Sequence, residues 1–235
     1  MKIKPNLTFW QIWNLSFGFL GIQIGYSLQS SQTSRILSAL GADPHDLPLF
    51  WLAAPIAGLI VQPIIGMSSD RTWTKLGRRI PFILGGAIVA AIAMFFMPNS
   101  EIVAHLLPPV FFGAFMLLFM DCAFNVSMQP FRSLVGDMVN DEQRNLGYST
   151  QSFLTNLGAV VGSFLPFILT YIGIRNIPQD GEMVPPSVIW AFYVGGASLL
   201  VTVLWTAFRV KEYPPKEYEE YNNITAEEKK KTSFI

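Results

Sequence analysis

Six stretches of the chain are apolar over a length that suits a membrane-spanning helix, and short polar or charged segments separate them. A helix needs about 20 mostly apolar residues to cross the hydrocarbon core of a bilayer. The pattern therefore predicts an all-α membrane protein with six transmembrane helices. The expected spans cover about residues 7–30, 47–67, 81–97, 106–131, 146–172 and 188–208.

The lysines and arginines favour one end of these predicted helices. If the N-terminus lies inside the cell, all of the 16 cationic residues except Arg35 and Arg175 fall in inner segments. Positive charge concentrates in the cytoplasmic loops of membrane proteins. The pattern therefore predicts a multi-pass protein of the cell membrane with both termini in the cytoplasm, as an even number of spans requires.

The segment 212–235 differs from the rest of the chain, because it is polar, charge-mixed and contains two adjacent prolines. Such a composition is typical of segments that form no packed core. We expect a transmembrane bundle over 1–211 and a cytoplasmic linker or tail over 212–235. Apolar character returns at the end of the sequence, which favours a chain that is one half of a longer protein.

The composition supports a lipid environment and argues against several other classes of protein. Charged residues make up 14% of the chain, whereas soluble domains carry about 25%. The formal net charge is zero, which gives no support for nucleic acid binding. The sequence has no Gly-Lys-Ser/Thr phosphate loop, no metal-ligand cluster and no evident nucleophile–base pair, so we expect neither an enzyme nor a cofactor.

Asp121 is the only charged residue in the central part of any predicted span. An ionisable group inside a membrane is costly and indicates a function. Because burial favours the neutral form of a carboxyl group, such a group can take up and release a proton. Asn125, Met128 and Arg132 follow on the same helical face, and Arg132 lies about 16 Å farther along the axis. The alternatives are a neutral Asp121 that only hydrogen-bonds within the bundle, and an Arg132 that only anchors its helix.

Further polar side chains occur within or beside the apolar stretches. The first helix carries Gln23, Tyr26 and Gln29 toward its outer end, and the fifth carries Asn156. Amides and phenols inside a membrane need hydrogen-bond partners, so they suit a ligand rich in hydroxyl groups and equally suit neighbouring helices. His45 lies in the first outer loop, where a histidine can sense external pH or contact a substrate.

A charged segment between the second and third predicted spans reads GMSSDRTWTKLGRRIPFI over 66–83. Its arginines can pair with acids of other inner loops, such as Asp137, Asp141 or Glu142, and so latch an inner gate. The alternative is that the cations only set the orientation of the chain in the membrane. This accounts for the cations but not for the glycines and the aspartate that frame them. The residues expected to form the gating motif are Gly66, Asp70, Arg71, Gly77, Arg78 and Arg79.

This segment resembles the loop between the second and third helices of the major facilitator superfamily, nearest to its sucrose–proton symporter branch. Segments similar to the first, second, fourth and fifth helices of that branch are also present. They are GIQIGYSLQSSQTSRILSALG over 21–41, PIAGLIVQPIIG over 55–66, the acid and arginine of 121–132 followed by SLVGDM, and NLGAVVGSFLP over 156–166. The resemblance covers essentially all six predicted spans and implies the N-terminal six-helix half of a twelve-helix carrier.

The resemblance also implies roles for particular residues. Asp121 matches the intramembrane carboxylate for proton coupling and sugar hydroxyl binding, Arg132 the fourth-helix arginine needed for transport, and His45 the outer-loop histidine linked to sucrose recognition. The implied partners are a sugar such as sucrose, maltose or a similar glucoside, a proton, membrane lipid and a second six-helix half. A sodium-coupled carrier, a carrier of another substrate and a half that does not transport alone stay open.

Overall fold

The structure is a computed structural model, and it describes residues 3–103, 106–179 and 181–222. Within these ranges the chain is helical, which confirms the all-α prediction, and the only β-type pairing there is an isolated bridge in the loop at 74–77. A short 3₁₀ turn precedes the fifth helix. The helices are α1 (Phe9–Ala39), α2 (Leu47–Trp51), α3 (Ala53–Arg71), α4 (Ile80–Phe96), α5 (Pro109–Met138), α6 (Arg144–Tyr171), α7 (Pro186–Arg209) and α8 (Pro215–Tyr221).

Four helical stretches of the described chain are long and apolar enough to cross a membrane. They are Leu47–Arg71, which joins α2 and α3, and the helices α5, α6 and α7. The helix α4 is also apolar but has 17 residues. The helix α1 has 31 residues but is not among the four, because its glutamines and serines make it more polar. The architecture is therefore that of a multi-pass membrane protein.

The helix bounds agree closely with the apolar pattern for α4, α6 and α7, which begin and end within about two residues of the predicted spans. The helix α1 continues to Ala39 and α5 to Met138, well beyond their apolar parts. The second predicted span divides at Leu52 into α2 and α3. Hydropathy marks the part of a helix that suits lipid, whereas backbone hydrogen bonding continues into polar residues at the helix ends.

Local sequence signals account for where several helices begin. The helix α1 starts with a capping box, in which the Thr8 hydroxyl accepts from the backbone N–H of Gln11 while the Gln11 side chain accepts from the backbone N–H of Thr8. These bonds satisfy N–H groups that have no partner inside the helix. Prolines lie in the first turn of α4, α5, α7 and α8, where the missing N–H costs nothing.

The helix α1 lies at the centre of the bundle, where it packs against α5, α6 and α7, while α4 packs between α5 and α7. Glycines allow this close approach. A Cβ atom on Gly158 or Gly162 of α6 would collide with the backbone oxygen of Leu20 or Ile24 in α1, and one on Gly21 would collide with α7. Small residues permit such contacts between membrane helices.

The helix α3 lies at the edge of the bundle and packs mainly against α5. Its apolar side chains are largely uncovered, as at Leu59, which is 79% exposed. A cleft opens between this peripheral helix and the central helices α1 and α5. The fold thus leaves one polar-lined face of the bundle accessible.

Candidate functional site

A cleft of about 780 Å³ lies between α1, α3 and α5, and α2 contributes Trp51 to its lining. Polar side chains come from α1, α3 and α5, and most of the apolar ones come from α3. Its lining consists of Gln23, Tyr26, Trp51, Ala54, Pro55, Gly58, Leu59, Gln62, Asp121, Asn125, Met128 and Arg132. Pockets for small ligands combine apolar walls with a few placed polar groups. Six of the residues that the sequence singled out therefore line one cavity, and five of them are polar.

Asp121 borders the cleft from α5 and is only 1% exposed. The Gln29 amide donates from Nε2 to Oδ1 of Asp121 at 2.6 Å, and Gln29 is itself buried. The second carboxyl oxygen, Oδ2, has no hydrogen-bond partner among the described residues. A buried carboxyl group with one free oxygen can either hold a proton or accept a hydrogen bond from a ligand.

Two hydrogen-bonded amides extend from the backbone of Asp121 across the cleft. The Asn125 Nδ2 group donates to the backbone oxygen of Asp121 at 2.8 Å, which fixes its rotamer one turn along α5. The Gln62 Nε2 group then donates to the Asn125 Oδ1 atom at 2.7 Å, which ties α3 to α5. The sequence reasoning missed Gln62. Its signal was a lone amide in an apolar stretch, four residues after Gly58 and four before Gly66.

The remaining cleft residues frame these amides. Arg132 is exposed and lines the cleft three helical turns beyond Asp121, about 16 Å along the helix axis. Tyr26 packs edge-on against Phe124 with ring centroids 5.9 Å apart, which orients its phenol. The Gln23 Nε2 group approaches the Ser27 hydroxyl at 3.4 Å. The cleft therefore presents amide, phenol, carboxyl and guanidinium groups, all of which suit a ligand rich in hydroxyls.

Two residues selected from the sequence lie away from this cleft. His45 is exposed in the loop before α2, where its backbone N–H donates to the Asp43 carboxylate at 2.8 Å. Asn156 is exposed on α6, and its Nδ2 group donates to the backbone oxygen of Ser152 at 2.8 Å. Neither residue belongs to the cleft lining. The structure therefore does not bring them together with Asp121.

The charged loop between α3 and α4 forms a compact ionic cluster. Asp137 of α5 accepts from Arg78 Nη2 at 2.7 Å and from Arg79 Nε at 2.9 Å. Asp70 pairs with Arg79 at 2.6 Å. Both arginine side chains are less than 10% exposed. Of the acids considered from the sequence, Asp137 thus joins the loop to α5, whereas Arg71 is exposed on the last turn of α3.

Glu212, which follows α7, is the second residue that the sequence reasoning missed. Its carboxylate oxygens accept from the backbone N–H groups of Arg78, Arg79 and Ile80, at 2.8–3.1 Å, and so cap the start of α4. Burial raises the pKa of Glu212 above its ordinary value, although these three N–H groups oppose the shift. An anion is stabilised at a helix N-terminus. The signal available in the sequence was an acid placed directly after the last apolar span.

The two glycines of the charged loop differ in what they do. Gly77 has a φ of +114°, which L-residues rarely adopt, and a Cβ there would lie 2.7 Å from Cδ of Glu212. Gly66 lies within α3 and faces Gln129. Tyr218 of α8 covers the cluster, because the Arg78 guanidinium lies 4.1 Å from the centroid of its ring. The glycine at 77 is therefore needed for the turn and for contact with the capping acid.

Comparison with known proteins identifies the family. Residues 36–233 match the family described as MFS/sugar transport protein. The general alpha-glucoside permease of Schizosaccharomyces pombe is 28% identical over 220 residues, which is 87% of this chain and 38% of the permease. A sucrose transport protein of Arabidopsis thaliana is 28% identical over 209 residues, 83% of this chain and 41% of that protein.

A sucrose transport protein of Oryza sativa is 34% identical over 158 residues, covering 60% of this chain and 30% of the rice protein. The chain spans about two fifths of the length of the first two relatives. These relatives are named as permeases and transport proteins, not as enzymes. The chain therefore belongs to the MFS/sugar transport protein family, among relatives that are sucrose and alpha-glucoside transporters.

Proposed function

We propose that this chain is the N-terminal six-helix half of a secondary active transporter that carries a sugar together with a proton. The observation that carries the proposal is Asp121, a buried carboxyl group with one amide partner at the edge of a polar cleft. Sucrose, maltose or a similar glucoside is the proposed substrate, because the cleft offers groups that bond hydroxyls and the named relatives transport such sugars.

In this proposal the six spans are α1, the combined α2 and α3, α4, α5, α6 and α7. Residues 1–211 form the bundle that crosses the cell membrane, and 212–235 form a cytoplasmic linker, of which 223–235 lie outside the described residues. Both termini lie in the cytoplasm. The cleft is open on the side of α3, whose apolar residues are uncovered. A second six-helix half supplies the facing wall, so the sugar lies between the halves near the bilayer midplane.

Asp121 takes up a proton from the outside and, once neutral, donates a hydrogen bond from its free oxygen to a sugar hydroxyl. Asn125, Gln23 and Tyr26 orient further hydroxyls. Arg132 holds a sugar oxygen or a facing carboxylate nearer the cytoplasm. Gln29 keeps the carboxyl group in place through its hydrogen bond. His45 and Asn156 contact the sugar only if the halves rearrange, since both lie outside this cleft.

The charged loop serves as the inner latch. Asp70, Arg78 and Arg79 hold α3 and α4 to Asp137 of α5. Gly77 shapes the loop, Gly66 faces Gln129 of α5 from within α3, and Arg71 adds an exposed charge for a facing half. Release of these pairs allows the halves to rock about the sugar and the proton to leave inside.

The test is uptake of radiolabelled sucrose and maltose in cells that express the protein from its complete natural reading frame, at external pH 5.5 and 7.5. We expect faster uptake at the lower pH in the wild type and no pH response in Asp121→Asn. Asp46→Asn, the same change at an exposed loop residue, is the matched control and should behave as wild type.

Each other outcome argues against a defined part of the proposal. Uptake that needs sodium, or that keeps its pH response in Asp121→Asn, contradicts proton coupling through this carboxyl group. Uptake of neither sugar, with the protein present in the membrane, contradicts the substrate class. Loss of uptake in Asp46→Asn as well means that the charge change acts through folding rather than through the cleft.

A further inference from the structure

A second cleft of about 460 Å³ lies where the loop between α3 and α4 meets the end of α7. Its walls are the loop residues 73–77, the last turn of α7 at 207–208 and the segment 210–215. It shares no lining residue with the cleft that contains Asp121. It is therefore separate from the proposed sugar site, although Gly77 of the proposed latch loop is part of its lining.

The charge of this second cleft is positive. Lys75 and Lys211 both line it and both are exposed. None of the ion pairs among the described residues involves either lysine. The acid in the lining, Glu212, uses both of its carboxylate oxygens on the backbone N–H groups that start α4. Two ammonium groups thus face the cleft without a counter-ion from the described chain.

The second cleft is also lined by exposed apolar side chains. Phe208 is 80% exposed and Leu76 is 58% exposed, and Trp73 lies beside them. Phe208 is the penultimate residue of α7, a helix of membrane-spanning length. The apolar part of the lining therefore lies where the hydrocarbon of a bilayer ends, a depth at which tryptophan is enriched.

We propose that this second cleft binds the headgroup of an anionic phospholipid. Lys75 and Lys211 contact the phosphate, while Phe208 and Leu76 contact the adjoining acyl chains. A basic pocket at the membrane surface of a helical bundle is suited to an anionic headgroup. The bound lipid joins the charged loop to the segment after α7, the same two parts that Glu212 connects. The inference needs only a membrane-embedded chain and does not depend on which solute is carried.

The test uses the fluorescence of Trp73 in the full chain, reconstituted in nanodiscs of phosphatidylcholine. The difference between wild type and Trp73→Phe isolates this one tryptophan from the six in the chain. Brominated phosphatidylglycerol and brominated phosphatidylcholine with the same acyl chains are then added as quenchers. We expect the anionic lipid to quench Trp73 at a lower mole fraction than phosphatidylcholine does.

The lysines set the expected size of this preference. A lysine near an anionic headgroup favours it by about fivefold, so both together give a preference of roughly 25-fold. In the double variant Lys75→Gln/Lys211→Gln, both brominated lipids should quench Trp73 equally. Lys75→Gln alone should keep about a fivefold preference, which preserves the test if the double variant fails to fold. Lys216→Gln, on α8 and outside the second cleft, is the matched control and should retain the full preference.

Three outcomes would overturn the inference. The first is equal quenching of Trp73 by both lipids in the wild type. The second is an unchanged preference for the anionic lipid in the double lysine variant. The third is relief of quenching by inorganic phosphate when chloride of matched ionic strength has no effect. The last outcome identifies a site for a small free anion instead of a lipid. Because no readout involves uptake, this inference and the proposed transport function can fail separately.

Discussion

The contact between α4 and α5 can be tested with two adjacent glycines of α4. A Cβ atom on Gly86 would lie 2.7 Å from the backbone oxygen of Ala123 and 2.8 Å from the backbone nitrogen of Ser127, both in α5. A Cβ atom on Gly85 would have no neighbour within 4 Å. Gly86→Ala and Gly85→Ala therefore make the same chemical change at a buried and at an exposed position of one helix.

The loss of stability expected for Gly86→Ala follows from these distances. Non-bonded carbon contacts are optimal at about 3.5–4.0 Å, so Gly86→Ala requires the two helices to separate by roughly 1 Å. Overpacking of this kind costs about 1–3 kcal/mol of folding free energy. Separation also stretches the 2.9 Å hydrogen bond from the Ser127 hydroxyl to the Ile83 oxygen. Alanine is the better helix former by about 1 kcal/mol at either site, and this gain cancels when the two variants are compared.

The assay is thermal unfolding of the purified chain in detergent, followed by intrinsic tryptophan fluorescence. One kcal/mol corresponds to about 2–4 °C in Tm for a chain of this length, so we expect Gly86→Ala to unfold roughly 2–12 °C below Gly85→Ala. Gly85→Ala should match or exceed the wild type. A Tm for Gly86→Ala equal to or above that of Gly85→Ala would refute the close approach of α4 and α5.

Two further predictions concern the charged loop and use the same assay. Glu212→Ala leaves three N–H groups at the start of α4 without their acceptor and should lower the free energy of unfolding by about 1–3 kcal/mol, whereas Glu217→Ala on exposed α8 should change it little. Because the pKa of Glu212 is raised in the folded protein, the loss of stability in Glu212→Ala is largest in acid and shrinks as the pH rises through that pKa. Equal losses in both variants would contradict the cap. Asp137→Asn leaves two buried arginines without their shared carboxylate and should lower the free energy of unfolding by about 3 kcal/mol. Asp141→Asn breaks an exposed ion pair and should lower it by less than about 1 kcal/mol. Similar small losses in both variants would contradict the ionic cluster.

The elements that could be predicted from the sequence are those with a local cause. The apolar runs located α4, α6 and α7 to within about two residues, because the lipid-compatible part of each nearly equals its helix. The helix α5 was predicted to end near residue 131, yet it continues to Met138. Arg132 and Asp137 are polar but still form helix, so hydropathy alone could not reveal that Asp121 and Asp137 share one helix.

The candidate site was predictable only where a residue was unusual in its own segment. Asp121 was such a residue, since it is the one charge in the middle of an apolar run. Gln62 and Glu212 gained their importance from contacts with Asn125 and with the start of α4, which are distant in sequence. The sequence shows Gln62 as a lone amide and Glu212 as an acid after the last apolar span, but it does not reveal the partner of either residue. Asn156 is the opposite case. It is an isolated amide in an apolar helix, yet the bond that it donates goes to the backbone oxygen of Ser152 on the same helix.

The placement of two acids on α5 gives this helix a connecting position. Asp121 borders the sugar-compatible cleft and Asp137 holds the charged loop, about 24 Å away along the same axis. The two acids are joined to different helices. Asp121 is joined to α1 through Gln29, whereas Asp137 is joined to the arginines between α3 and α4. The amide of Gln62 adds a third tie, between α3 and α5 beside the cleft. A shift of α3 relative to α5 would therefore break the Gln62–Asn125 bond at the cleft and the Asp70–Arg79 pair at the loop, as the proposed inner latch requires.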